Sequence, residues 1–366
     1  MKNARGLYIH IPFCVKKCKY CDFTSYCGKE ELIPEYISAV KKEAYMYKGE
    51  EIDSIFIGGG TPSLMSEREI YNLFDMINNN FIIDKSCEIT VEVNPDTATE
   101  DKISAFCKSG VNRISMGVQS FEDGELQTLG RIHTSKKALL AANIISRYTN
   151  NYSFDIMTAL PNQTEASLKK TLETAVSLNP AHLSCYSLII EEGTPFYEMY
   201  DELDVPDEEA DRKMYRMTVD FLKENGYRQY EISNFAKPGY ECRHNLKYWD
   251  CMEYIGLGAA AHSYYKSERF SNTGSIDKYL SGYTKEESKY IEEKDKISEF
   301  IIMGLRKTEG IDVDDFYRRF GKNIYELFGD ILNKYISGGF LEKNGRFLRF
   351  TQSGTDVSNS ILCEFV

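Results

Sequence analysis

CVKKCKYCDF, residues 14–23, sets Cys14, Cys18 and Cys21 within eight positions and places Phe23 two residues beyond the last of them. Three thiols are one short of a closed four-ligand site. Zinc would recruit Cys27 as the fourth ligand. A redox reading uses Cys18 and Cys21 as a CxxC pair. The third reading binds three irons of a [4Fe–4S] cluster and leaves the fourth iron open to a small molecule. The loop follows LYIHI (7–11), an apolar run that reads as a strand. A loop at a strand end can hold cluster ligands at the mouth of a barrel, which suits the third reading, although spacing alone keeps zinc in contention.

Working outward, apolar strand-like runs alternate with helical stretches. The strands are read at 7–11, 54–59, 88–95, 111–120, 152–161 and 182–190. The helices between them are read at 36–47, 68–80, 101–110, 135–148 and 165–179. Repeated βα units predict a parallel sheet with helices outside it. The polar motifs fall at strand ends: the cysteine loop after the first strand, GGGTP (58–62) after the second, Glu92 and Asn94 at the third, Gln119 at the fourth. Asp155 lies on the fifth. Such ends converge in a barrel and spread along an edge in an open sheet, so the reading is a partial (β/α)6 TIM-like barrel.

Beyond residue 190 the pattern changes. The acidic run 201–212 reads as a solvated loop leading into a helix near 207–225, and residues 230–275 show weak periodicity. From about 294 helical segments return, Asn344–Gly345 marks a hairpin within 339–351, and a last helix is read over 353–365. The expected division is 1–285, a barrel with an extension at about 191–285, and 286–366, a small winged-helix-like α+β domain serving packing or partner docking.

The chain has 366 residues, a formal charge of −12 and 42 % hydrophobic residues. That balance suits a globular core and argues against nucleic-acid binding. The opening MKNARGLYIHIPFC lacks the apolar core of a signal peptide, and no run of about 18 apolar residues appears. A cytoplasmic protein is expected, neither secreted nor embedded in a membrane. Ten cysteines then do not imply a disulfide framework. Those outside the triad, Cys242 included, read as small buried hydrophobes. His10, His133, His182 and His262 read as core or loop-anchoring residues.

CxxxCxxC after the first strand, with GGGTP after the second, resembles the radical S-adenosylmethionine superfamily. IHIPFCxxxCxYCDF, IFIGGGTPS, EVNP, GVNRISMGVQSF, LGRIH and CRHNLKYW resemble the oxygen-independent coproporphyrinogen-III oxidases and their relatives, over essentially the whole chain. The resemblance implies that Cys14, Cys18 and Cys21 ligate a [4Fe–4S] cluster whose open iron takes the amino and carboxylate groups of S-adenosyl-L-methionine. It gives Gly59, Gly60 and Thr61 the methionine end, and Glu92, Gln119, Arg131 and Asp155 further cofactor contacts. Tyr8 is expected beside the cluster loop. No catalytic residue is assigned.

Within the family, oxidases that decarboxylate resemble CxxxCxxCxC, with cysteine where this chain has Phe23. Phe23 and HNLKYW (244–249) resemble the heme-chaperone branch, which makes His244 the expected heme contact. The resemblance thus implies heme as cargo, heme-accepting proteins as partners, a membrane-associated acceptor among the options, and a small flavodoxin- or ferredoxin-like electron donor. The competing readings are an oxygen-independent coproporphyrinogen-III oxidase, another radical enzyme acting on a tetrapyrrole, and a zinc-stabilised binding module. Departures fall at ALPNQT (159–164), where the family has GLPGQT, and at Ala259–Ala260, where it has Pro-Gly. They bear on local loop shape and on Asp155, not on the triad.

Overall fold

In the computed structural model, which describes residues 4–282 and 285–366, the six apolar runs form parallel strands in sequential order. They are β1 (Arg5–Ile11), β2 (Glu51–Gly59), β3 (Ile82–Val93), β4 (Arg113–Gln119), β5 (Tyr152–Thr158) and β6 (His182–Ser187). Each expected helix between them is present, the one over Glu67–Asn80 opened by a capping box in which Ser66 and Glu69 satisfy each other's backbone N–H. The barrel is partial. Past β6 the sheet continues through β7 (Arg228–Gln229) and β8 (Asn234–Ala236), with β8 antiparallel to β6 and β7 outermost. Past β1 it continues through β9 (Tyr254–Leu257), parallel to β1, then the antiparallel β10 (His262–Tyr265), β11 (Glu268–Asn272) and β12 (Lys285–Tyr290).

A two-residue alternation decides what lies on each side of the sheet. Ile114, Met116 and Val118 of β4, Phe154 and Ile156 of β5, and Leu183 and Cys185 of β6 join the core beneath the surrounding helices. Their neighbours Arg113, Ser115, Gly117 and Gln119, Ser153, Asp155 and Met157, and His182, Ser184 and Tyr186 face a cavity of about 520 Å³. Barrels of this kind ordinarily fill their centre with branched apolar side chains. Here most of those positions are polar, Gly117 and Met157 excepted, and the centre is open.

The carboxyl-terminal unit has its own core, including Phe300, Phe316, Leu332 and Leu348. Helices Glu293–Gly304, Val313–Phe320 and Ile324–Ser337 pack with the small antiparallel sheet of β13 (Ile311–Asp312), β14 (Leu341–Asn344) and β15 (Phe347–Phe350), in the order β13-β15-β14. Gly345, at φ 60°, makes the expected turn between β14 and β15. The last helix differs from its reading: it breaks at Val357, whose φ of −121° leaves Gln352–Asp356 and Ser358–Leu362 as separate short pieces. Ser and Asn flank the break, and such side chains favour caps over helix interiors.

Candidate cofactor site

The cysteine loop is pinned by backbone bonds on three sides. Cys14 N–H donates to Tyr26 O (3.0 Å), Lys19 N–H to Leu129 O (3.0 Å), and Phe196 N–H to Lys19 O (3.0 Å). Cys14, Cys18 and Cys21 are free thiols lining one cavity mouth. Burial raises Cys14 and lifts Cys21 to about 11, so these two thiols keep their protons until a metal displaces them. Among the described residues no three His, Cys, Asp or Glu side chains converge on a point where a single ion would sit. A four-iron cluster offers a separate iron to each thiolate, so its ligands need not converge.

The GGGTP turn lies directly against this loop. Gly60 N–H donates to Ile11 O (2.9 Å) and Thr61 N–H to Phe13 O (2.7 Å). A Cβ on Gly60 would stand 2.7 Å from Phe13 O, and one on Gly59, at φ +107°, would stand 2.4 Å from the His10 ring. Only glycine allows that approach. Glu92 Oε2 accepts from Gly59 N–H at 3.0 Å. Burial and the neighbouring Asp155 charge raise the Glu92 carboxyl to about 7. Burial likewise raises Asp155 to about 6, against hydrogen bonds from Ser184 and Ser115. Gln119 turns back at φ 68°, and its Oε1 accepts from the Tyr186 hydroxyl at 3.1 Å.

One chain of hydrogen bonds joins two of the thiols. Thr61 Oγ1 donates to Cys14 Sγ (3.5 Å) and accepts from Asn94 Nδ2 (2.9 Å). Asn94 Oδ1 accepts from Arg131 Nη2 (2.5 Å), and Arg131 Nη1 donates to Cys18 Sγ (3.5 Å). The donor set fits a thiolate-held, electron-rich cluster: three sulfurs, a buried guanidinium and a hydroxyl pointing at them, and a glycine cradle alongside.

Asn94, the centre of that chain, shows in the sequence only as a strand end. His10 is a second residue whose part escaped the sequence. Its Nε2 bonds Thr24 O (2.8 Å) in the cysteine loop, and its ring underlies Gly59. Tyr8 lies one layer deeper than expected. Its hydroxyl bonds His10 Nδ1 at 2.8 Å and its ring packs near Phe56, so it meets the cluster loop through His10. At ALPNQT and GLGAAAHSY the glycine-type backbone survives without glycine: Ala159, Asn162 and Ala260 sit at φ 54°, 62° and 59°.

His244 stands apart from this group. It begins a short helix, Arg243–Trp249, that closes the amino-terminal end of the barrel. A Cβ on Gly6, at the start of β1, would lie 3.1 Å from its ring, about 17 Å along the strand from the cysteine-loop end. It is 1 % exposed. Its Nδ1 bonds Ser54 Oγ (3.0 Å) and its Nε2 bonds the Tyr248 hydroxyl (2.9 Å), and burial pushes its pKa down to about 3. In this conformation both ring nitrogens are engaged and neither can reach an iron. Tyr248 packs edge-on against Tyr254, and the Arg306 guanidinium covers Trp249, so the two aromatic rings that follow His244 in the motif are covered as well.

Comparison with known proteins places this geometry. Residues 8–175 match the Radical SAM superfamily and residues 291–357 the HemN C-terminal domain. Heme chaperone HemW of Bacillus subtilis (strain 168) is 35 % identical over 100 % of this chain and 99 % of its own length. Heme chaperone HemW of Escherichia coli (strain K12) is 35 % identical over 98 % and 97 %. The solved structure of coproporphyrinogen III oxidase (HemN) from Escherichia coli, a radical SAM enzyme, superposes with a TM-score of 0.86 at 22 % identity, covering 99 % of this chain and 90 % of that one. With its barrel-mouth cysteines, its glycine cradle and full-length likeness at this level, the chain belongs to the radical SAM superfamily and, within it, to the HemW family.

Proposed function

We propose that this protein is a heme chaperone: it binds heme and passes it to heme-requiring proteins, using a radical SAM core that holds a [4Fe–4S] cluster and S-adenosylmethionine. The full-length likeness to heme chaperones carries the reading, and Phe23 and HNLKYW agree with it. Cys14, Cys18 and Cys21 would ligate the cluster, which when bound supplies an electron to a ligand on its open iron. Gly59, Gly60 and Thr61 would cradle the methionine end. Glu92, Gln119 and Asp155 face the space beyond, where a ribose and a sulfonium can be held. Arg131, through Asn94 and Cys18, positions the loop. Heme-accepting proteins and a small flavodoxin- or ferredoxin-type donor are the partners this reading requires. Among the described residues no helix is long and apolar enough to cross a membrane.

Axial ligation by His244 requires the helix Arg243–Trp249 to swing out, because both imidazole nitrogens are engaged while it is closed. Uptake is therefore gated by that opening. Anaerobic titration of cluster-loaded protein with heme, followed by absorbance, tests the reading. Saturable binding with heme recovered intact is expected, weakened about tenfold or more by His244→Ala, as loss of an axial ligand demands. Unsaturable binding insensitive to His244, or turnover of coproporphyrinogen III, would overturn it.

A further inference from the structure

The floor of the barrel cavity is not used by the cofactor site, and it carries a concentration of unmet hydrogen bonding. Thr90 Oγ1, Arg113 Nη2, His182 Nδ1 and Asn234 Oδ1 are buried, have no partner among the described residues, and belong to side chains that line this one cavity. All four residues are at least nine-tenths buried. A buried polar atom left unmade costs about 1–3 kcal/mol, so four side chains lining one space call for a partner there, a ligand or ordered solvent.

Their chemistry is selective. The Arg113 guanidinium is fixed by its other nitrogen, Nη1, which donates to Tyr240 O (2.9 Å) and Asn151 Oδ1 (3.3 Å). Glu88, 3.9 Å away, balances its charge, but Glu88 Oε1 is occupied by the His244 N–H and the Cys242 thiol. Tyr230 Oη accepts from Cys242 N–H at 3.2 Å and bonds His182 Nε2 at 2.9 Å. With the Tyr230 hydroxyl donating to an unprotonated Nε2, the ring proton sits on Nδ1, which is then a free donor. Arg113, Thr90 and His182 then supply three donors, and Asn234 Oδ1 one acceptor. That set complements a carboxyl group: its two oxygens take the three donors, and Asn234 takes the proton when it is neutral. Cys242 and Asn245 line the same cavity and belong to the segment carrying His244.

We propose that the barrel floor is a carboxyl-binding subsite, which anchors a propionate-type arm of a tetrapyrrole admitted when the helix Arg243–Trp249 opens. The proposal rests on the heme-chaperone reading for the source of the carboxyl. A free small carboxylate is the other source with the same chemistry.

The test compares hemin with its dimethyl ester on cluster-loaded protein, in wild type, Thr90→Val and Arg113→Lys. Wild type should prefer the free acid about tenfold, the worth of one or two charge-assisted hydrogen bonds. Thr90→Val should cut that preference severalfold and leave ester affinity unchanged. Its hydroxyl has no protein partner, so this variant should unfold at the same temperature as wild type or higher. Arg113→Lys, which loses the fork and keeps the charge, should do the same to the preference. Equal affinity for acid and ester in wild type, or a preference that Thr90→Val leaves intact, would overturn the subsite. If neither compound binds wild type, the heme reading has failed independently, and acetate decides. A rise in unfolding temperature with acetate that Thr90→Val abolishes supports the subsite for free carboxylates. No rise means the floor holds solvent only and sinks the proposal.

Discussion

Glu92 sets the requirements of the site against those of the fold. Its carboxyl ionises near 7 in the native protein against an ordinary value of 4.5, because burial and then Asp155 oppose the charge. A folded value above the unfolded one means that the unfolded chain releases its proton first. Stability therefore falls as pH rises from about 4.5 to about 7, and the whole cost is present above that range. Glu92→Gln should stabilise cluster-loaded protein without S-adenosylmethionine by about 3 kcal/mol at pH 8 and hardly at all at pH 4.5, read as unfolding temperature. The same change should weaken S-adenosylmethionine binding, since on the proposed reading it removes the carboxylate that would accept from the ribose hydroxyls. Stabilisation without loss of binding would make Glu92 a merely tolerated buried acid. The sequence revealed Glu92 by its place at a strand end, as it revealed the triad by spacing. It could not reveal Asn94 or His10 as parts of the site, because their roles are bonds to residues 37 and 14 positions away.

Among the elements, β1 to β6 were legible because each is an apolar run bounded by turn residues and followed by a helical period. The strands β7 to β11 were not. They are two to five residues long, too short to show a period, and are fixed by pairing with the edges of the barrel. The polar lining of the cavity is a two-residue alternation in RISMGVQ, YSFDIMT and HLSCYS, which marks no site in the sequence because the apolar half of each strand already accounts for it. The loops that depart from the family keep left-handed backbone at Ala159 and Ala260. An L-residue there costs about 1–2 kcal/mol relative to one at ordinary φ, most of which glycine avoids. Ala260→Gly should therefore raise the chemical-denaturation midpoint by the equivalent of about 1 kcal/mol. A loss of stability would mean that the methyl group's packing outweighs the strain.

At the scale of the whole molecule, the carboxyl-terminal unit braces the helix that covers His244. Asp250 caps the end of that helix. Its carboxylate pairs with Lys307, and its carbonyl accepts from Arg319 Nη1 at 2.7 Å. The Arg306 guanidinium covers the Trp249 ring at 5.1 Å. On the barrel side the same helix is held by Glu88, which accepts from His244 N–H, and by Lys247 paired with Asp53 at 2.8 Å. The helix is only seven residues long, so its position depends on these two sets of contacts rather than on its own stability. Half-exposed ion pairs are worth about 0.2–1 kcal/mol each. Removing Lys307 and Arg319 together should hardly move the global unfolding temperature, yet shift the local opening equilibrium by up to about tenfold. Amide hydrogen exchange at Leu246, Tyr248 and Asp250 should quicken by that factor in Lys307→Ala/Arg319→Ala, and heme should associate faster and bind more tightly by the same factor, because only the open state is competent to bind it. Unchanged exchange would mean that the barrel side alone keeps the helix shut, and the carboxyl-terminal unit would then have no hold on heme entry.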